Sequence, residues 1–358
     1  MVVAIVPRCQ GEPETSLVNG VELRRVLRRS TLPMTITELY EMRRAIRSAA
    51  QDRFDLILAH GDIAVVAALS VRPRLPIALV FHASGLREAQ HRRSLGVTPI
   101  ERLRSRGIEP FLYIYERLAL RYASRILVLS DFSRRLVMDI EPRAASRLRV
   151  VGGGVDLDVF SPTADREALR RALGIGESEI VLMSARRLVN RMGIEMLLEA
   201  IRELRERRED LKLVIVGDGE LRRSLEAQRD RLGMVDSAVF LGRVLDAQLI
   251  DWYRAADVFV LPTIAYEGFG MVTAEALACG TPVVGTDVGA TSEILKPLDE
   301  DLLALGADSS SLAAAIDRVV ERTTPEFRTR CHEYARAHLG WHAVICRWEQ
   351  ALLSAQST

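Results

Sequence analysis

The chain has 358 residues, 48% of them hydrophobic and 27% charged, which fits a globular protein of two ordinary domains and excludes a disordered or fibrous one. No run approaches the roughly 18–20 apolar residues of a membrane-spanning helix. Net charge is only +1 but unevenly spread: residues 1–150 carry 25 arginines and 15 acidic residues, leaving 24 basic and 33 acidic residues beyond. That +10 in the first half points to an anionic membrane surface or an anionic acceptor, or else to arginines solvated on helix faces. Lysine occurs only at Lys212 and Lys296, so the arginine preference reads as base composition before function. Four cysteines (Cys9, Cys279, Cys331, Cys346) lack metal-ligand spacing. Their scatter, and an N-terminal strand with no basic lead, lead us to expect reduced thiols and no signal peptide in a cytoplasmic protein.

Strands alternate with helices along the chain, the pattern of parallel sheets. In the first half apolar strands read at 2–6, 55–59, 77–81, 126–129 and 148–151, with helical patterns at 20–29, 38–52, 62–70, 109–123 and 131–138. The second half reads strands near 180–184, 211–216, 238–241, 257–261 and 282–284, and helices near 193–208, 219–232, 246–255 and 271–279. The expected fold class is α/β, with two doubly wound parallel sheets facing a cleft. Ligands of such sheets bind at the carboxyl ends of the strands.

The most specific stretch is Tyr266-Glu-Gly-Phe-Gly-Met-Val-Thr-Ala-Glu275, which runs on to Gly280-Thr-Pro-Val-Val284. Gly268, Phe269 and Gly270 turn the chain, Met271 to Cys279 reads as a short helix, and Gly280 stops it. Glu267 then sits at the helix mouth and Glu275 about one turn inside. The free N–H groups between them suit a phosphate. Two ionised carboxylates beside a phosphate suit the hydroxyls of a sugar and a ribose, and the combination suggests a sugar nucleotide.

The two carboxylates, the Gly-Phe-Gly turn and the Gly-Thr-Pro-Val-Val strand resemble the glycogen-synthase-like retaining glycosyltransferases (glycosyl transferases group 1), which have the GT-B fold of two Rossmann-like domains. The resemblance spans nearly the whole chain, most strongly 113–295, and weakens before position 50, where a shorter first lobe is implied. It implies an N-terminal acceptor domain over 1–155, a nucleotide-sugar domain over 156–340, and a C-terminal helix over 341–358 crossing back to the first domain. Gly152-Gly-Gly-Val-Asp156 resembles the family's Asn-Gly-Val-Asp junction, with Gly153 in the asparagine position. The fold generally works without a metal; Asp156-x-Asp158 is the only metal-like pair singled out.

The resemblance also implies roles. Ala185-Arg-Arg-Leu-Val-Asn-Arg-Met-Gly193 is similar to an Arg-Leu…Lys-Gly element that grips the donor diphosphate. Arg187 falls on the arginine, but Met192 stands where the lysine belongs. Arg191 replaces that charge, or else lies on the surface over a buried Met192. His82, ending a strand, matches a histidine that contacts the donor sugar, and His60 is a weaker parallel. Gly217 and Gly219 are expected near the nucleotide. Asn19, Gly20 and Ser130 are expected on the acceptor side, with helix capping an equal reading for Ser130.

The implied reaction is displacement of a nucleoside diphosphate with retention at the anomeric carbon, using His82, Arg187 and Glu267. No cofactor beyond the nucleotide-sugar donor is expected. The acceptor is a hydroxyl of a glycan, glycolipid or secondary metabolite, and nucleic acid is not expected as a partner. Peripheral contact with the inner face of a membrane, through Arg102-Leu-Arg-Ser-Arg106 and Phe111-Leu-Tyr-Ile-Tyr115, is the further expectation. The alternatives are a degenerate, non-catalytic partner subunit and, ranked last, a nucleotide-sugar epimerase.

Overall fold

The computed structural model describes residues 2–8, 13, 15–18, 20–27, 36–49, 54–71, 75–94 and 99–353. The chain divides into two compact units, one of residues 1–129, 133–151 and 347–358, the other of residues 130–132 and 152–346.

In the first unit β1 (Val2–Arg8), β2 (Thr15–Val18) and β3 (Val21–Leu27) form one sheet in the order β1-β3-β2, with β1 and β3 parallel. A second, all-parallel sheet runs β4 (Ile57–His60), β5 (Ile77–Phe81), β6 (Arg125–Val128) and β7 (Leu148–Val150). The helix expected at 20–29 is therefore a strand. Gly20 lies in the turn before it at φ +79°, and Val18 pairs with Val21, so the chain doubles back as a tight antiparallel hairpin. Pairing on both edges gives Val21–Leu27 its backbone partners, and this tertiary contact overrides the helical reading of its arginines. Gly20 accordingly belongs to a hairpin, and no strand-to-helix loop is formed there. Asn19 lies outside the described residues.

Helices Ile36–Ala49, Asp62–Val71, Pro99–Tyr122 and Asp131–Ile140 match expected segments, and Gly85–Ser94 is an addition. The third begins ten residues before the expected 109 and carries Pro110 within it. Every residue of β5 is buried, and Leu79, Phe81, Leu120, Ile126 and Val137 centre the core on one face. On the other face Ala351, from the last helix (Trp341–Leu353), packs with Val80, Leu127 and Val151. Among the described residues no helix is long and apolar enough to cross a membrane.

The second unit holds one six-stranded parallel sheet: β8 (Ile180–Ala185), β9 (Leu211–Val216), β10 (Ala238–Gly242), β11 (Val258–Leu261), β12 (Val283–Thr286) and β13 (Leu303–Ala304). Helices Ile194–Arg205, Arg222–Arg231, Asp246–Ala255, Met271–Ala278 and Ser309–Arg322 connect or flank these strands. β8, β9, β11 and β12 are apolar over nearly their whole length because both faces of the sheet are covered. The order β10-β9-β8-β11-β12-β13 reverses between β8 and β11. At such a reversal the loops leaving two adjacent strands diverge and open a crevice for ligands.

Candidate active site

The loops after β8 and β11 carry the residues that sequence reasoning singled out. β8 ends at Ala185, and Arg186 is the first residue beyond it. The Arg186 amide bonds to Val216 O, and a Cβ on Gly217 would come within 1.9 Å of the Arg186 carbonyl oxygen. Leu188 N likewise donates to Asp218 O at 3.0 Å, with Gly219 against the Leu188 carbonyl. The glycines expected near a nucleotide thus have a packing reason of their own: they let the turn after β9 lie against the backbone of 186–188.

Arg187 is exposed, whereas the neighbouring Arg186 turns inward, its side chain only 5% exposed. Arg186 Nη2 lies 2.5 Å from Glu267 Oε2, and Arg186 Nη1 donates to Thr263 Oγ1. Thr263 Oγ1 in turn donates to the same Glu267 oxygen at 3.0 Å. Thr263 is itself fully buried, with its carbonyl accepting from Thr286 Oγ1 at 2.5 Å. The Glu267 backbone is held as closely: Ala290 N donates to its carbonyl at 2.9 Å, and a Cβ on Gly289 would come within 2.3 Å of that oxygen. The sequence offers Arg186 only as a further guanidinium near Arg191 for the diphosphate, and gives no sign of Thr263 or Gly289; the structure instead turns Arg186 onto Glu267.

The missing lysine is explained in part. Met192 is buried at 6% exposure in a short helical turn, Asn190–Met192. Arg191 is half-buried, with Nη1 3.3 Å from Tyr266 O and 3.7 Å from Met192 Sδ. It is therefore no loose surface arginine but a strut on the loop that carries Glu267. Tyr266 holds φ +55°, the only non-glycine left-handed residue among those described. Such a conformation persists only where surrounding contacts hold it, and it sits one residue before Glu267.

Gly270 at φ +81° opens the helix Met271–Ala278, and the Phe269 ring lies against Gly153, where any Cβ would come within 2.4 Å. That contact leaves no room for an asparagine at 153. Glu275 lies inside the helix, and Tyr253 Oη donates to its Oε2 at 2.8 Å. Burial pushes the Glu275 carboxyl above the ordinary range, the Tyr253 bond pulls it partly back, and Asp246 adds to the rise. Cys279, at the end of this helix, is buried, and its thiol is pushed up to about 12 by that burial, which makes it a packing residue.

Ser130–Phe132 group with this unit. Ser130 Oγ donates to Gly268 O at 2.6 Å. The amides of Asp131 and Phe132, which open a helix, donate to the two oxygens of Glu293 at 2.7 and 2.6 Å. Asp156 accepts from the amide of Asp158 in a local turn, at 3.0 Å.

In the first unit β4 and β5 are neighbours, and His60 and His82 leave their carboxyl ends together. His60 Nδ1 lies 3.0 Å from His82 Nε2, with the rings stacked at 5.3 Å between centroids. Burial lowers the pKa of both imidazoles, and the charge of His60 lowers that of His82 further. Two residues on, Ser84 Oγ donates to both oxygens of the buried Glu116, which also accepts from Leu86 N at 2.8 Å. Asp62 is pushed up to about 7 by burial and by Glu116, and its Oδ1 is buried with no hydrogen-bond partner among the described residues.

Residues 2–159 match the model described as Glycosyltransferase Family 4, and residues 165–338 match Glycosyl transferases group 1. An uncharacterized glycosyltransferase of Methanocaldococcus jannaschii is 30% identical over 86% of this chain and 77% of its own length. The chain belongs to the glycosyl transferases group 1 family. Several other relatives are matched over only half to two-thirds of their length, 51–64%. Among solved structures, sucrose-phosphate synthase from Thermosynechococcus elongatus superposes with TM-score 0.82 at 21% identity, over 99% of this chain and 88% of that one. Anabaena HepE in complex with UDP and glucose superposes with TM-score 0.73 at 22% identity, over 95% and 87%. At those identities the likeness establishes the fold, which is GT-B.

The folded state binds the Glu275 proton more tightly than the unfolded state does. The stability this group contributes is therefore fullest below its ordinary value of 4.5 and declines as pH rises through the raised folded value. Glu275→Gln should thus melt no lower than wild type at pH 7.5. If Glu275 accepts from a ribose, the same variant loses about 1.5–3 kcal/mol of nucleotide affinity, tenfold to more than a hundredfold. Calorimetric titration checks this, and unchanged affinity removes Glu275 from the site. For the histidines, NMR titration of His60→Gln should show the His82 pKa rising from its depressed value, since the neighbouring charge is gone. A stationary His82 would mean that burial alone sets it.

Proposed function

We propose that this protein transfers a glycosyl group from a nucleoside-diphosphate sugar to a hydroxyl acceptor, with retention at the anomeric carbon and without a metal. The observation that carries the reading is the convergence of Arg186, Arg191, Glu267 and the opening of helix Met271–Ala278 at the strand reversal of the second unit. Family membership and the UDP and glucose bound by HepE support a nucleotide-sugar donor.

In this reading Glu275 accepts from a ribose hydroxyl and Glu267 from hydroxyls of the transferred sugar. Arg187, Arg191 and the helix N-terminus meet the diphosphate, whose negative charge grows as the bond to the anomeric carbon breaks. The acceptor oxygen bonds to that carbon from the same face, and its proton passes to the departing phosphate oxygen. His82 serves the sugar as a neutral imidazole, consistent with its lowered pKa.

A second reading, a binding subunit without catalysis, is favoured by one observation: a buried, uncharged Met192 occupies the expected lysine position. Assays of transfer and of donor hydrolysis over a panel of nucleotide sugars separate the two. We expect turnover that survives EDTA, and loss of about 2–4 kcal/mol of transition-state stabilisation in both Arg187→Ala and Arg191→Ala. Turnover abolished by EDTA and restored by Mg²⁺ or Mn²⁺ would falsify the metal-free mechanism. Donor that binds without turning over supports the non-catalytic subunit.

The acceptor or its surroundings are proposed to include an anionic membrane surface. Phe111, Ile114, Leu118 and Tyr122 form an exposed apolar edge of helix Pro99–Tyr122, with Phe111 64% exposed, in the half of the chain that carries +10. Vesicle sedimentation should show binding that grows with acidic lipid and fades as salt shortens the screening length to about 8–10 Å. Equal, negligible binding to neutral and acidic vesicles points to an acceptor in solution.

A further inference from the structure

We propose that Arg186 is the positioning residue that makes Glu267 a one-oxygen acceptor for the donor sugar, and so sets which sugars the site holds. The inference rests on the donor-site reading above and adds a role for a residue that the family motif does not supply.

The geometry is specific. Glu267 Oε2 receives two donors, Arg186 Nη2 at 2.5 Å and Thr263 Oγ1 at 3.0 Å. Oε1 accepts no hydrogen bond among the described residues, and it is not one of their fully buried, unpaired atoms. One carboxylate oxygen is thus consumed by the protein while the other remains open. Arg186 reaches Thr263 and Glu267 with its two terminal nitrogens at once, which a lysine ammonium on a single flexible stem cannot reproduce. Its charge also bears on Tyr253, the phenol that holds Glu275.

The arrangement has a physical purpose. A carboxylate with 9% side-chain exposure is costly to keep charged without a partner, and more so when an anionic diphosphate arrives nearby. The adjoining guanidinium offsets that charge and locks the carboxyl rotamer. The open oxygen is then presented in one direction, which favours sugars whose hydroxyls meet it along that line. Without Arg186 the carboxyl turns freely and the directional preference is lost.

The test is calorimetric titration with matched pairs: UDP and UDP-glucose, ADP and ADP-glucose, GDP and GDP-mannose. Wild type identifies the working pair. We expect Arg186→Met to keep the affinity for the nucleoside diphosphate within about threefold, while affinity for the nucleotide sugar falls about tenfold or more. Adding Glu267→Gln to Arg186→Met should cost less than about twofold more, because both changes act through one carboxylate. Arg186→Lys should fall between, and it carries the same comparison if Arg186→Met does not fold. Equal losses for both ligands would assign Arg186 to the diphosphate or to the fold, and full additivity with Glu267→Gln would make the two residues independent; either result overturns the inference. If wild type binds none of the pairs, the donor-site reading itself falls and takes this inference with it. Binding by wild type and unchanged binding by Arg186→Met sinks the inference alone.

Discussion

The site of the second unit depends on a buried charge being matched. Glu267 and Arg186 are both almost closed to solvent, and each would destabilise the protein if the other were missing. They meet because β8 and β11 are hydrogen-bonded neighbours, Leu182 opposite Val258 and Met183 opposite Phe259, so the loops leaving them start side by side. The pairing of β11 with β12 then brings Thr286 onto the Thr263 carbonyl. The strained Tyr266, the Arg191 strut and the Gly289 contact all hold the backbone on either side of this one ion pair. Strand register, set by the apolar core beneath, is thereby converted into the position of a carboxylate.

The two motif carboxylates stand in different surroundings. Glu267 shares its oxygen with a guanidinium, whereas Glu275 has a neutral phenol for its partner, and burial drives its carboxyl upward. Groups whose environments differ in this way take different tasks. A carboxylate matched by a cation is suited to sit near an incoming anion. One held by a phenol is suited to a neutral hydroxyl donor away from the strongest charge.

The first unit solves a comparable problem with different chemistry. Glu116 is buried with no cation bonded to it among the described residues, and it is satisfied instead by Ser84 Oγ and the amide of Leu86. Those bonds anchor the loop that follows β5, and His82 stands at the start of that loop. The neighbouring strand supplies His60, whose contact restricts His82 to tautomers in which the two facing nitrogens share one hydrogen. A histidine named from its strand end alone thus proves to be half of a pair.

How much of this was legible in the chain follows from the range of each signal. Hydrophobic runs placed ten of the thirteen described strands, missing β2, β3 and β13, with β5 and β9 at their observed limits, because covered strands are apolar over several consecutive residues. The spacing of Glu267, the glycine turn and Glu275 was legible for the same reason: it is local, and a helix start imposes it. The segment at 20–29 was misread because its own residues do not decide its state; pairing with β1 does. Arg186 and Arg187 mark the limit most clearly. They are adjacent and chemically identical, but successive side chains at a strand end point to opposite sides, and only the assembled sheet decides which one faces the buried carboxylate. By itself the sequence determined most of the elements, the family and the carboxylate motif, since each is written in consecutive residues. Which arginine meets Glu267, which oxygen stays open and which histidine stands beside His82 were decided by the tertiary structure, because β8 must pair with β11, 76 residues on, and β4 with β5, 20 residues on, before those groups can meet.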